Sequence, residues 1–340
     1  MGTNSYGKCR LDIISTGAIE MKILKLSFLI CVLMLTAHGA GAHQAETTKF
    51  DWGGRSIPEF TPPKDAVLID TPGTLDKEGA YYFLTKDIVA DQTAFQITKG
   101  NITLDLGGHT VIYNAGPSKD KCYGVHVKPF ASHATIKNGY VIQGQGKSKE
   151  SPAIFFQGDV AHPLSHQDIH HLIIRTNGTL CAGILGTNAK GFLDSQIHQN
   201  YIENFSQVDP DPSVGDGTGG DCIIISAKSV GGFKISENVL AAGHRGIHMV
   251  NAAPGDKKPA RSEIKGNLIQ HSFREGYRNS FGIYMDKIHN TDVRGNQIVT
   301  DNGRGIILDG FNIFWDEKEG SRGNSVYDNI IDVEFSRLSR

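Results

Sequence analysis

A short pattern that returns along most of the chain limits the possible folds more than any other feature. After residue 120 a small residue followed by alternating apolar positions appears as GVHVK (124–128), AIFFQ (153–157), GILGT (183–187), CIIIS (222–226), GIHMV (246–250), GIYMD (282–286) and GIILD (305–309). Each is a short strand by its period of two. A second pattern, apolar-x-x-Asn-x-apolar, follows most of them, with Asn at 200, 238, 267, 296 and 329. Two earlier copies are imperfect: Leu172 stands in the Asn place, and Asn138 comes one place early. The small residues are spaced 29, 30, 39, 24, 36 and 23 residues apart, so the bare repeat is near 23 and the rest carry insertions.

Self-similarity at such a period means stacked units, each unable to bury its apolar face alone. A hexapeptide helix needs a six-residue period, which is absent. A leucine-rich repeat needs Leu at fixed places and uniform length, whereas here Ile and Val dominate. A right-handed parallel β-helix is left: all-β, one solenoid over 66–340, of about eight coils stacked roughly 38 Å long at the strand spacing. The first coil is expected within 81–113, Asn in left-handed bends between strands, and glycine in the other bends. The 40 glycines and 12 prolines then belong to one repeating coil and not to two globules. Without a clear cap after the last Asn turn, further C-terminal coils are expected.

Residues 1–20 read as an upstream extension. Residues 21–42 read as a signal peptide, with Lys22 and Lys25, an apolar run Leu26–Leu35 and a small-residue cleavage point near Ala42; residues 43–65 read as a linker or cap. The apolar run is too short for a membrane span. A secreted or periplasmic monomer is expected. A net charge of −2 and no basic stripe argue against nucleic acid. Cys122, Cys181 and Cys222, odd in number and widely spaced, are read as small buried hydrophobes.

The run NITLDLGGHTV (101–111), followed by coils with the Asn pattern, resembles the pectin-lyase-like β-helix superfamily over roughly residues 66–333. The resemblance implies that fold, and its members include polysaccharide lyases, polygalacturonase-type hydrolases, uronan epimerases, tailspikes and adhesins. GGDCIII (219–225) and AGHRGIH (242–248) are similar to the Asp-Asp-Cys and Gly-His-Gly blocks of polygalacturonases. Here, however, Gly220 replaces the first Asp, Arg245 interrupts the His-Gly step, and Tyr284 and Asp286 stand where Arg-x-Lys is expected. The hydrolytic set is therefore not carried over.

Counting the small residue as position zero, positions one and three are apolar and point inward, while two and four point outward. Chemistry-capable outer residues gather on the last three strands: His248, Tyr284, Asp286 and Asp309. Insertions at 205–219 and 271–280 precede the strand, and those at 251–262 and 310–323 follow it, so they would wall a groove. One reading is an enzyme that cleaves an acidic polysaccharide. In β-elimination Arg245 or Arg304 would neutralise the uronate, His248 or Tyr284 would act as base or acid, and Asp286 with Asp309 would bind Ca²⁺ or sugar. In hydrolysis Asp286 and Asp309 would be the carboxylate pair. Trp315, Tyr277, His244 and Asp221 are candidate substrate contacts, with Phe273, Phe311 and Phe314 as further stacking faces. Asp209, Asp211 and Asp216 are weak Ca²⁺ candidates, since they match no calcium spacing. The competing reading is a non-catalytic, carbohydrate-binding or adhesin-like β-helix, in which these residues only tile a solvated face.

Overall fold

The computed structural model describes residues 60–117, 120–146, 148–159, 161–206, 219–228, 230–251, 260–271, 281–300, 304–309 and 324–333. They fall in the unit Phe60–Arg340. The signal-peptide, extension and most of the linker assignments lie outside the described residues. Every regular element among those described is a β-strand, and every strand pairing is parallel. No helix there is long and apolar enough to cross a membrane.

The chain is a parallel β-helix. Strands of the small-residue pattern make one nine-stranded sheet: Gly73–Leu75, Phe95–Ile97, Val125–Val127, Ile154–Gln157, Ile184–Ala189, Ile223–Ala227, Arg245–Asn251, Phe281–Asp286 and Arg304–Asp309. The strands on either side of each Asn corner join a 17-stranded sheet, and a three-stranded sheet covers a further corner. Pairing begins earlier than the sequence suggested: Val67–Ile69 already pairs with Tyr82–Leu84.

Like residues stack in columns. Ile136, Ile169, Ile197, Ile235, Ile264 and Val293 are successive register mates, and all are buried. Opposite them, the position-one and position-three residues are equally enclosed, as with Ile247, Met249, Ile283 and Met285. The interior is thus a continuous Ile/Val/Leu rod that no single coil could bury.

The Asn column differs in detail from expectation. The left-handed residue is the one before each Asn: Gln199, Glu237, Gly266, Gly295 and Asp328 all have φ between 54° and 63°. The Asn itself points inside. Asn200 Nδ2 donates to Asn238 Oδ1 at 3.0 Å, Asn238 to Asn267 at 3.0 Å, Asn267 to Asn296 at 2.9 Å and Asn296 to Asn329 at 2.9 Å. Each also donates to a carbonyl of the coil before it. The Oδ1 atoms of Asn238, Asn267, Asn296 and Asn329 accept the backbone N–H of the Asn before, and that of Asn200 accepts the N–H of Leu172. Buried amides are thereby fully engaged. The two imperfect copies follow the same backbone: His171 (φ 54°) precedes Leu172, and Asn138 (φ 59°) itself takes the left-handed place.

The small residue is a packing requirement more than a bend. A Cβ on Gly246 would lie 2.5 Å from Ile269 Cγ2 and 2.6 Å from the Gly282 carbonyl; on Gly282 it would lie 2.6 Å from Ile298 Cγ2. Neither glycine has a positive φ. The small residue turns inward beside the inward position one, so the strict alternation breaks there. Position minus one then shares the outer side with position two, which lets Arg245 reach His248. Cys222 fills the same small-residue place; Cys122, Cys181 and Cys222 are all buried free thiols.

Candidate functional site

The site is built around Asp221, the residue immediately before Cys222. Its carboxylate is fully buried, 0 % exposed. Oδ1 lies 2.8 Å from His244 Nδ1 and accepts the Arg245 backbone N–H at 3.2 Å. Oδ2 lies 3.1 Å from His248 Nδ1 and 3.4 Å from an Arg245 guanidinium nitrogen. Burial pushes the carboxyl's pKa up, but the charges and hydrogen bonds of His244, His248 and Arg245 outweigh it and hold it down at about 2. The group is an anion at any ordinary pH, locked to three partners.

His248 uses Nδ1 for contacts to both Asp221, at 3.1 Å, and Arg245, at 2.8 Å. With the proton on Nδ1, it donates to Asp221 and leaves Nε2 as a base. In the other tautomer Arg245 donates to Nδ1 and Nε2 carries the proton as an acid. Tyr284, the register mate of His248 on the next strand, packs edge-on to the imidazole with centroids 5.2 Å apart. Its ring stacks on Phe281 at 5.3 Å and lies under the Arg245 guanidinium at 5.5 Å. The cluster therefore puts an imidazole, a phenol and a guanidinium on one patch, held from below by a single carboxylate.

This places the expected residues unevenly. Arg245, His248 and Tyr284 come together. Asp286 lies two residues further along the outer row and is half-buried; Asp309 is its register mate. Arg304 is the register mate of Phe281. The expectation that Asp221 and His244 touch substrate is corrected: both side chains are 0 % exposed, so they act only through the groups they hold. Trp315, Tyr277, Phe273, Phe311, Phe314, Asp209, Asp211 and Asp216, with most of the insertions read as groove walls, lie outside the described residues. Among the described residues no group of three His, Cys, Asp or Glu side chains is placed to hold a metal ion.

The sequence reading missed that Asp221 anchors the cluster. The column at position minus one was the available signal: Asp221 and Arg245 are consecutive members of it, opposite in charge and one coil apart. Gly220 beside it has φ 78°, a conformation glycine adopts freely, which gives a backbone reason for glycine where a polygalacturonase-like block would carry Asp.

No family model and no curated protein matches the chain. A solved structure, the Dettilon tailspike protein (gp208), is similar at 16% sequence identity and a TM-score of 0.44, over 78% of this chain and 54% of the tailspike chain. The chain thus spans about half the length of that protein.

Proposed function

We propose that this protein is a secreted, right-handed β-helix of the pectin-lyase-like kind that binds an acidic polysaccharide and cleaves it by β-elimination at the Asp221–Arg245–His248–Tyr284 cluster. The carrying observation is the buried Asp221 carboxylate that grips both His248 Nδ1 and Arg245. Such a dyad fixes the imidazole and stabilises its protonated form, as a general base requires. In the reaction His248 Nε2 takes the proton from C5 of a uronate. The C4–O bond breaks as the C4=C5 double bond forms, and the Tyr284 hydroxyl gives its proton to the departing oxygen. The guanidinium of Arg245 faces the uronate carboxylate and offsets charge that develops as C5 is deprotonated. The proton on His248 then leaves to solvent and Tyr284 regains one.

Hydrolysis is the second reading, favoured by one observation: Asp286 and Asp309 are register mates on adjacent strands. Register mates on adjacent strands lie about 4.8 Å apart at the backbone, so the two residues are neighbours on one sheet, as a carboxylate pair requires.

The test is incubation of the full chain with polygalacturonate, alginate and glycosaminoglycans, with and without Ca²⁺. Ultraviolet absorbance of unsaturated uronates, lost in His248→Ala, is the expected result. New reducing ends without that absorbance, lost in Asp286→Asn, would favour hydrolysis. Silence in both assays with polymer binding retained would replace the enzyme by a carbohydrate-binding solenoid.

A further inference from the structure

The outer side of the nine-stranded sheet carries a second cluster, toward the N-terminal end. His126, Phe155, Leu185, Ile224, His248 and Tyr284 are successive register mates, so one column runs from strand Val125–Val127 to the Asp221 cluster. Two residues further along each strand runs a polar column: Gln157, Thr187 and Ser226, consecutive register mates and all half-buried. At the far end Tyr123 joins the first column. Its ring stacks on Phe155 with centroids 4.8 Å apart and 24° between planes, and lies 4.6 Å from His126, which is 5.1 Å from Phe155.

The two ends of the column differ in charge. Burial pushes the His126 pKa down to about 4, with the charge of Lys128 adding to it and a hydrogen bond to Gln157 opposing. The ring is neutral at ordinary pH, and its Nε2 lies 2.9 Å from Gln157 Oε1. Tyr123 and Phe155 thus present a half-buried, uncharged aromatic face with an anchored amide beside it. That pairing of an apolar plane with a polar edge matches a pyranose ring, which has C–H faces and a hydroxyl rim. The stacking needs no charge on the ring, so a uronate fits as well as a neutral sugar, with the Lys128 charge nearby. Phe155 and His248 are separated by three strand spacings, roughly 14 Å, the reach of a short oligosaccharide.

We infer that Tyr123 and Phe155, with Gln157, form a distal saccharide-stacking subsite for the same polymer that meets Arg245 and His248. The inference rests on the polysaccharide reading proposed above. The enzyme would then engage a chain several rings long, stacked at one end and reacting at the other, and would discriminate against fragments too short to bridge the two.

The test uses the full chain and the panel polymer it cleaves, as long chains and as the shortest fragments still cleaved. Phe155→Ala is expected to raise KM about tenfold on long chains, in line with the worth of an aromatic stacking contact. It should leave kcat on long chains and kcat/KM on short fragments unchanged. Phe155→Trp should restore the long-chain KM, and Tyr123→Leu should repeat the loss, which covers misfolding of the first variant. Affinity electrophoresis in gels containing polygalacturonate, alginate or hyaluronan gives a readout free of turnover: retardation should be weakened by Phe155→Ala and kept by His248→Ala. Equal loss on long and short fragments, or an unchanged long-chain KM, would overturn the subsite while leaving cleavage at His248 standing. Neither cleavage nor retardation by the wild type with any polymer would overturn both.

Discussion

Two stretches of the same sheet, three strands apart, share a backbone and a register yet present opposite chemistry. Around 123–157 the outer column is aromatic and neutral, with His126 stripped of its charge by burial. Around 221–284 it is ionic, with Asp221 kept charged despite complete burial because three partners stand on it. Burial by itself neutralises a titratable group; burial with partners fixes its charge. The solenoid therefore does not assign chemistry by position along the coil. The residue before the small one makes the difference: charged Asp221 and Arg245 in one stretch and Tyr123 in the other, each against position two of its own or a neighbouring strand.

The sharpest way to break this contrast is to remove the carboxylate. Asp221→Ala leaves Arg245 and two histidines facing a buried hole. A loss of about 3–5 kcal/mol is expected from the urea unfolding midpoint, together with loss of polymer cleavage. Next, His248→Gln should cost on the order of 10²–10⁴-fold in kcat, the range for a positioned acid–base group. It should move the thermal midpoint far less than Asp221→Ala, because the Gln amide can still donate to Asp221 Oδ2. A structural role alone would give the reverse pattern. Gly282→Ala tests the packing that makes the outer cluster possible. Its methyl would meet Ile298 at 2.6 Å, so about 1–3 kcal/mol of destabilisation is expected, with activity falling as the Arg245–His248 contact shifts.

The smallest effect separates the two regions by pH. An unfolded histidine takes a proton near pH 6.5, but folded His126 resists until about 4. His170, on the other face of the same half of the helix, is likewise pushed down to about 4, chiefly by burial. Below pH 6.5 the unfolded chain binds more protons there than the folded one, so stability falls as pH drops from 6.5 to 4. Asp221 has the same sign but a lower window. Its contribution is present above the unfolded value of about 4 and is lost as pH falls through about 2. Hydrogen exchange at pH 4.5 against pH 7 should therefore show protection lost first in the strands around 125–175 and kept around 221–250.

The fold was legible because one residue column, the Asn corner, obeys a strict rule, and the rule survives loops of any length between corners. The conformational details were less so. Side-chain type suggested Asn in the left-handed turn, as Asn often is. Here the inward amide is worth more to the neighbouring coils, and the left-handed place falls to Gln199, Glu237 or a glycine. Of the site, His248 and Tyr284 were readable from outer-face counting, and Arg245 from its place directly before a small residue. Asp221 was not given its role because strict alternation says nothing about a residue outside the strand pattern, and because its burial comes from a corner that only the folded chain makes. The Tyr123–Phe155 pair was passed over for the same reason: Tyr123 also stands just before its small residue.

The amide column has a consequence for how such a chain can change. Each Asn oxygen caps the coil before it, so the column works as a ruler that resets the phase of the chain once per turn. A loop can gain or lose residues, as the intervals of 23 to 39 show, without the error passing to the next coil. Deleting a corner would instead strand an amide on either side and throw every later column out of line. Variation is thereby steered into the segments between corners, where new contacts with a ligand can be tried while Asp221, Arg245 and His248 keep their alignment.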